Sequence, residues 1–290
     1  MLRGYAEIAA TAPDELTVMA GFLGTGGQML LFLFPAWSGD PARGQDAITA
    51  LQQLGTPVMA QVAPMPYSGA LGMFNQSVVN GRRYALATRW LPGLTDDTAA
   101  MLIAGARSAT SPLSAIAIHH FHGAAARIPA PDTAFALRRD HLLVEILAAW
   151  EPSPDTDPAA HRAWAGSLSG QLAPSSLPGG YPNLLGPAEP DRVLLAYGPN
   201  ARRLQDLKHR YDPDGVFSTA TGTLPAALRT GDLGATAQTS IRVTQGPDSA
   251  IGAKCTAVPP GGYSPSVIAI VPARCLSPGT PCPQLAHEVL

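Results

Sequence analysis

Histidine dominates the short set of side chains that could do chemistry here. Three of the seven stand almost together, in His119-His120-Phe121-His122-Gly123. Alternate residues of a strand share a face, so His120 and His122 would project together and could hold a metal ion. A usable site needs a third or fourth ligand with hydrogen-bonded support around it. His141 and His161 qualify by residue type alone, so no metal centre is assigned. The plain alternative is a group of histidines hydrogen-bonded within a sheet. A second candidate is Gly24-Thr25-Gly26-Gly27. Such a turn can present amides to phosphate, but only when a helix starts directly after it. An apolar, strand-like run, Met29 to Trp37, follows instead, so the glycines read as a hairpin turn. The three cysteines, Cys255, Cys275 and Cys282, all lie near the C-terminus. Cys275 and Cys282 could pair, yet an odd count in a proline-rich setting reads better as incidental thiols, and the redox compartment stays open.

The elements that must position these groups can be read from periodicity. Leu16 to Leu23 and Met29 to Trp37 read as strands. Asp40-Pro41 caps a helix with Ala47, Ile48, Leu51 and Leu54 on one face and Gly55 after it, and Pro57 to Ala63 reads as a returning strand. Pro66 to Arg83 reads as irregular. Thr95, Asp96 and Asp97 begin a helix that runs to about Ser108. Ser114 to Phe121 and the nearly all-apolar Leu142 to Trp150 are further strands. Ala160, Ala163, Trp164 and Leu168 share a helix face, and Pro174 to Gly180 is a flexible approach to Tyr181. Strand, strand, helix, strand over residues 16–63 predicts an α+β fold, an antiparallel sheet covered by helices on one face. A C-terminal helix and an irregular tail complete it. The expected division is residues 1–226 as one region and 227–290 as a low-order tail. That tail is rich in proline and glycine, holds every cysteine and has sustained periodicity only at Ser266 to Val271.

Composition narrows the function classes. Hydrophobic residues make up 46% of the 290 and suffice for a core, while the net charge of −2 gives no case for nucleic acid or an anionic membrane. No apolar run approaches the twenty residues of a membrane helix; the longest, Met29 to Trp37, is broken by Pro35. The N-terminus lacks the charged and then apolar pattern of a signal peptide, so the location is unknown and cytoplasmic by default.

The most specific signal lies between Tyr181 and Phe217. Tyr181-Pro182-Asn183 is followed by a helical run, Asp191 to Ala196, then by Tyr197-Gly198-Pro199-Asn200, Arg203-Leu204, Leu207-Lys208, Tyr211-Asp212-Pro213, Phe217 and Leu224-Pro225. Pro199 suits the first position of a helix carrying Leu204, Leu207 and Tyr211, which Asp212-Pro213 stops. This ordered set resembles the C-terminal signature of berberine bridge enzyme-like FAD-linked oxidoreductases of the vanillyl-alcohol oxidase superfamily. The opening residues and Met65-Pro66-Tyr67 are also similar to that family's wording, so the resemblance runs from residue 1 to about 226.

That resemblance implies a substrate-side portion of a flavin oxidase, with FAD as cofactor and a small molecule as substrate. It places His119 or His120 where a polar residue faces the substrate, and a neutral imidazole there could accept a proton as a carbon loses hydride. It also brings Tyr181 and Asn183, on a strand, towards the flavin ring. Departures accompany it. Ala124 replaces the second glycine of a pair, Leu137 stands for a histidine before Arg138, and Leu184 stands where many members carry a catalytic tyrosine. The family's phosphate-binding and flavin-attaching domain is not recognised in this chain. FAD is therefore not expected to bind tightly to it alone, and a separate FAD-binding domain is the expected partner. The alternative is a non-catalytic α+β binding module or an inactive remnant.

Overall fold

The computed structural model describes residues 1–25, 28–57, 59–73, 79–154, 156–185, 189–217 and 266–270. Seven strands form one antiparallel sheet: β1 (Leu16–Thr25), β2 (Gln28–Trp37), β3 (Gln61–Met65), β4 (Arg83–Leu91), β5 (Ala115–Phe121), β6 (His141–Trp150) and β7 (Ser266–Ile270). Their order is β3-β7-β2-β1-β5-β6-β4. The glycine turn does join a hairpin, with Leu16 opposite Trp37 and Thr25 opposite Gln28. Seven helices accompany the sheet among the described residues: α1 (Leu2–Ala10), α2 (Pro41–Gln52), α3 (Tyr67–Gly72), α4 (Asp96–Arg107), α5 (Pro158–Leu172), α6 (Pro190–Tyr197) and α7 (Ala201–Tyr211).

One face of the sheet carries the core. Val18, Phe22, Leu33, Ile116, Ile118, Val144 and Ile146 alternate inward at every second position, and Tyr5, Ile48, Leu51, Leu102, Trp164 and Leu168 meet them from α1, α2, α4 and α5. These helices are well begun. Asp40 and Asp157 accept the amides of Ala42 and Ala159, and Thr95 forms a reciprocal capping box with Thr98. The tight α4–α5 contact needs Gly105, because a Cβ there would lie 2.5 Å from Leu168 Cδ2. Trp164 Nε1 donates to the Gly105 carbonyl at 2.9 Å, satisfying the one polar group of a buried indole.

Several elements differ from the sequence reading. α1, β4 and the short α3, inside the stretch Pro66 to Arg83 that reads as irregular, were not expected. α1 buries only Leu2 and Tyr5 in nine residues, a face too narrow to stand out as a period. β4 buries its residues only towards its end, at Thr88, Trp90 and Leu91, so the alternation is weak. The returning strand begins at Gln61, past Pro57, and meets β2 only through β7, which lies between them. Gln61 pairs with Ile270, and Trp37 with Val267. Five residues of the expected tail thus lie in the sheet; its other residues beyond 217 fall outside the described set. Pro182–Leu184 is a short 3-10 turn, not a strand. Pro182 has no N–H to give a ladder and suits the first position of a helical turn.

Candidate functional site

The second face of the sheet is where chemistry can be reached. On β5 the residues opposite to Ile116 and Ile118 are Ala117, His119 and Phe121, and on β6 they are His141, Leu143, Glu145 and Leu147. The antiparallel register sets Ala117 across from Glu145 and His119 across from Leu143. His119 and Glu145 are therefore diagonal neighbours, a separation that two long side chains bridge. His119 Nε2 donates to Glu145 Oε2 at 3.0 Å, with the two side chains 40% and 24% exposed. A carboxylate acceptor requires the imidazole proton on Nε2 and leaves the Nδ1 lone pair for another proton. Sequence reasoning missed Glu145. Its signal was a single carboxylate inside the otherwise apolar run Leu142 to Trp150.

His120 goes the other way. It lies on the helix-covered face, its ring stacked on His122 with centroids 3.9 Å apart and planes 5° from parallel. Its Nδ1 is buried without a hydrogen-bond partner among the described atoms. Burial first, then the charge of His122, pushes its pKa down to about 4. The strand alternation that joins His120 to His122 separates both from His119 by the thickness of the sheet. His161 is elsewhere again, held by Thr110 at 2.7 Å and stacked on Trp150.

Tyr181 returns to the side of His119. Trp90, Phe121 and His141 occupy that face, and Phe135 sits on them, 5.8 Å from Trp90 and 5.7 Å from Phe121 between ring centroids. Tyr181 meets Phe135 edge-on at 6.1 Å and remains 38% exposed. Asn183 is also exposed, its Nδ2 3.4 Å from the Tyr181 hydroxyl. His141 is buried against Phe121, bonds the Arg139 carbonyl through Nδ1 and has its pKa lowered by burial.

The signature residues around Tyr181 turn out to be fasteners. Arg192 Nη2 donates to the carbonyls of Thr88 at 2.8 Å and Gly179 at 3.0 Å, and the Leu177 amide donates to Trp90 O at 2.7 Å. Gly179 has φ +88°, and a Cβ there would lie 2.9 Å from both Ala196 N and Trp90 Cζ3; this position needs glycine. Asn200, buried, donates to Ala130 O at 2.7 Å and Thr133 O at 3.0 Å, and Arg203 donates to Pro131 O. They secure the loop that carries Phe135. Arg138 steadies the same loop from within, through Ala125 O and Thr133 Oγ1, with its guanidinium over the Phe135 ring. Beyond α7, Asp212 accepts the amides of Val216 and Phe217 and pairs with Lys208. That clasp leaves Tyr211, Val216 and Phe217 about three-quarters exposed.

An exposed tyrosine on an aromatic base, with an amide beside it, suits the plane and polar edge of a flavin ring. The glycine turn and the starts of α2, α4 and α5 do not suit a pyrophosphate. The glycine turn joins two strands, and the amides at the starts of α2 and α5 are taken by Asp40 and Asp157, while Asp96 and Asp97 stand at the start of α4. Each of those helix starts places a carboxylate where a phosphate site needs free N–H groups.

Comparisons with known proteins bear on the fold and its kinship. The family model described as berberine and berberine like matches residues 180–222. FAD-linked oxidoreductase aurO from Gibberella zeae is 26% identical over 238 residues, 78% of this chain and 45% of that protein. Berberine bridge enzyme from Eschscholzia californica superposes with a TM-score of 0.58 at 15% identity, covering 78% of this chain and 52% of the other. GilR, an oxidoreductase solved with pregilvocarcin, gives a TM-score of 0.61 at 18% identity, with 77% and 52% covered. The chain spans about half the length of the curated relatives it matches. It carries the berberine and berberine-like segment at residues 180–222 and, over about three-quarters of its length, resembles one half of the berberine bridge enzyme-like FAD-linked oxidoreductases.

Proposed function

We propose that this chain forms the substrate-side wall of an FAD-linked oxidoreductase, with catalysis depending on the FAD-binding half that its relatives carry and this chain does not span. The observation that carries the reading is the hydrogen-bonded pair His119–Glu145, partly exposed on the sheet face that also carries Phe121, on which Phe135 and then Tyr181 pack. Bound FAD would supply a two-electron acceptor for a hydride from substrate carbon. As that C–H bond breaks, His119 Nδ1 takes the proton of the adjoining hydroxyl, and the C–O bond becomes a carbonyl. Glu145 holds the ring in the tautomer that can accept and balances the imidazolium that forms. Tyr181 and Asn183 line the ring, and Leu184, an aliphatic residue within the 3-10 turn, takes no part in proton transfer.

His120 is given no catalytic part, because it faces the helices and stays neutral until well below neutrality. The exposed Tyr211, Val216 and Phe217 offer a second apolar surface to the remainder of such an enzyme. The test is to combine this chain with the FAD-binding half of an aurO-like relative and follow peroxide release from an alcohol panel. Turnover that needs both halves and falls at least a hundredfold in His119→Ala supports the reading. Turnover unaffected by His119→Ala overturns the assigned base, and no turnover with any alcohol overturns the oxidoreductase reading.

A further inference from the structure

The open face also carries information about what it can hold, and this inference rests on reading that face as the substrate wall. Its floor beside the His119–Glu145 pair is small and flat. Ala115 and Ala117 are partly exposed there, and Gly21 stands opposite Ala117 on β1. Gly21 has no room for a side chain: a Cβ would lie 2.0 Å from Ile116 O and 2.9 Å from the Phe32 ring. Around that floor the same face presents Met19, Leu23 and Leu147, all apolar and all at least partly exposed.

The polar side chains of this face are largely committed. Tyr84 Oη bonds both the N–H and the carbonyl of Val79. His141 is held by Arg139 O. Thr88 is wholly buried. Thr17 Oγ1 lies 3.4 Å from His122 Nε2, and the exposed Tyr181 and Asn183, which stand off the sheet, belong to the flavin ring in the proposed assembly. On the sheet itself, what remains within reach is the pair His119–Glu145. A site discriminates strongly through hydroxyls when it has a directed partner for each one, and poorly through apolar contact. A polyol laid on this floor would lose water from several hydroxyls and find one polar pair to replace it.

We infer that this face selects a flat, mainly apolar ring system bearing a single hydroxyl at the His119–Glu145 pair, and disfavours carbohydrate. The ring lies on Ala115 and Ala117, and its hydroxyl donates to His119 Nδ1.

Binding to the full chain tests this without flavin. The probes are 2-naphthol, a flat phenol, and cellobiose, a disaccharide, each titrated calorimetrically. Naphthol should bind, cellobiose should fail to bind at tenfold higher concentration, and Ala117→Phe should weaken naphthol at least tenfold by raising the floor. Should Ala117→Phe not fold, Glu145→Gln, nearly identical in shape, should weaken naphthol severalfold while leaving 2-methylnaphthalene, which lacks the hydroxyl, unchanged. Cellobiose binding as tightly as naphthol, or neither binding, overturns the inference. Naphthol bound by a chain whose assembly oxidises nothing keeps this inference and sinks the oxidoreductase reading. Sugar oxidation by the assembly does the reverse.

Discussion

His119 and His120 are adjacent in sequence and sit in unlike surroundings, because neighbouring strand residues point to opposite faces. On one face His119 is half in solvent and tied to a carboxylate. On the other, His120 is half-buried and hydrogen-bonded to the backbone of Ala9 in α1, its charged form disfavoured by burial and by a second imidazole stacked on it. The same contrast holds for the two faces as wholes. The covered face is continuous packing from Leu16 to Trp164; on the other, a second, smaller core of Trp90, Leu185, Val193 and Ala196 covers the β4 end and leaves a partly exposed apolar stretch around the His119–Glu145 pair. Side-chain type therefore says little about role here; the partner across the strand and the depth of burial decide it.

The largest expected effect that breaks this comparison is catalytic. In an assembly that turns over, Glu145→Gln should cost about 10²–10⁴ in kcat, the usual worth of acid–base chemistry. His120→Gln should leave kcat within severalfold. Equal losses in the two variants, measured by peroxide release, would mean the faces are not functionally distinct.

Stability should divide the faces in the opposite sense. Ile146→Ala on the covered face should destabilise by about 2–5 kcal/mol, through lost burial and the cavity left behind. Leu147→Ala, one residue on but facing outward, should cost about 1 kcal/mol or less. Urea unfolding of the two variants gives the comparison directly.

A smaller effect is expected at the fastener between the open face and the C-terminal segment. Asn200→Ala removes the donor shared by Ala130 O and Thr133 O and should cost about 1–3 kcal/mol. The loosened loop should also raise the acrylamide quenching of Trp90, which Phe135 covers.

The pH response of His120 is the smallest and the most specific. Its folded pKa, near 4, lies below the ordinary value of 6.5, so the unfolded chain binds the proton more readily. The stability it contributes is present above about 6.5 and is lost progressively as pH falls towards 4. His122, Asp140 and His141 act on the same ring. Urea midpoints measured from pH 7.5 to 4.5 should fall, and His120→Gln should flatten that slope; an unchanged slope would place the proton uptake elsewhere.

Much of the architecture was legible from residue order. The alternation in Leu16 to Leu23 and Ser114 to Phe121, the glycine turn and the caps at Asp40 and Thr95 are local features, and each acts through neighbours within a few residues. The signature from Tyr197 to Asp212 was likewise visible as a pattern. What it does was not, because Asn200 works on carbonyls about seventy residues away. α1 and β4 escaped for a related reason: their burial comes from distant partners.

The candidate site itself was half readable. The sequence alone determined that His119 and His120 must face opposite sides of any strand containing both, since side chains alternate by twos. It could not say which side would be covered by helices, nor that Glu145, twenty-six residues on, would arrive diagonally beside His119. Strand pairing sets that meeting, and register is a property of two segments together. The same holds for Tyr181, whose place above Phe135 depends on Arg192, Leu177 and Asn200 holding separate stretches of chain to β4 and its neighbours. Periodicity is written along the chain, whereas the pairing of distant groups is decided only when the sheet closes around them.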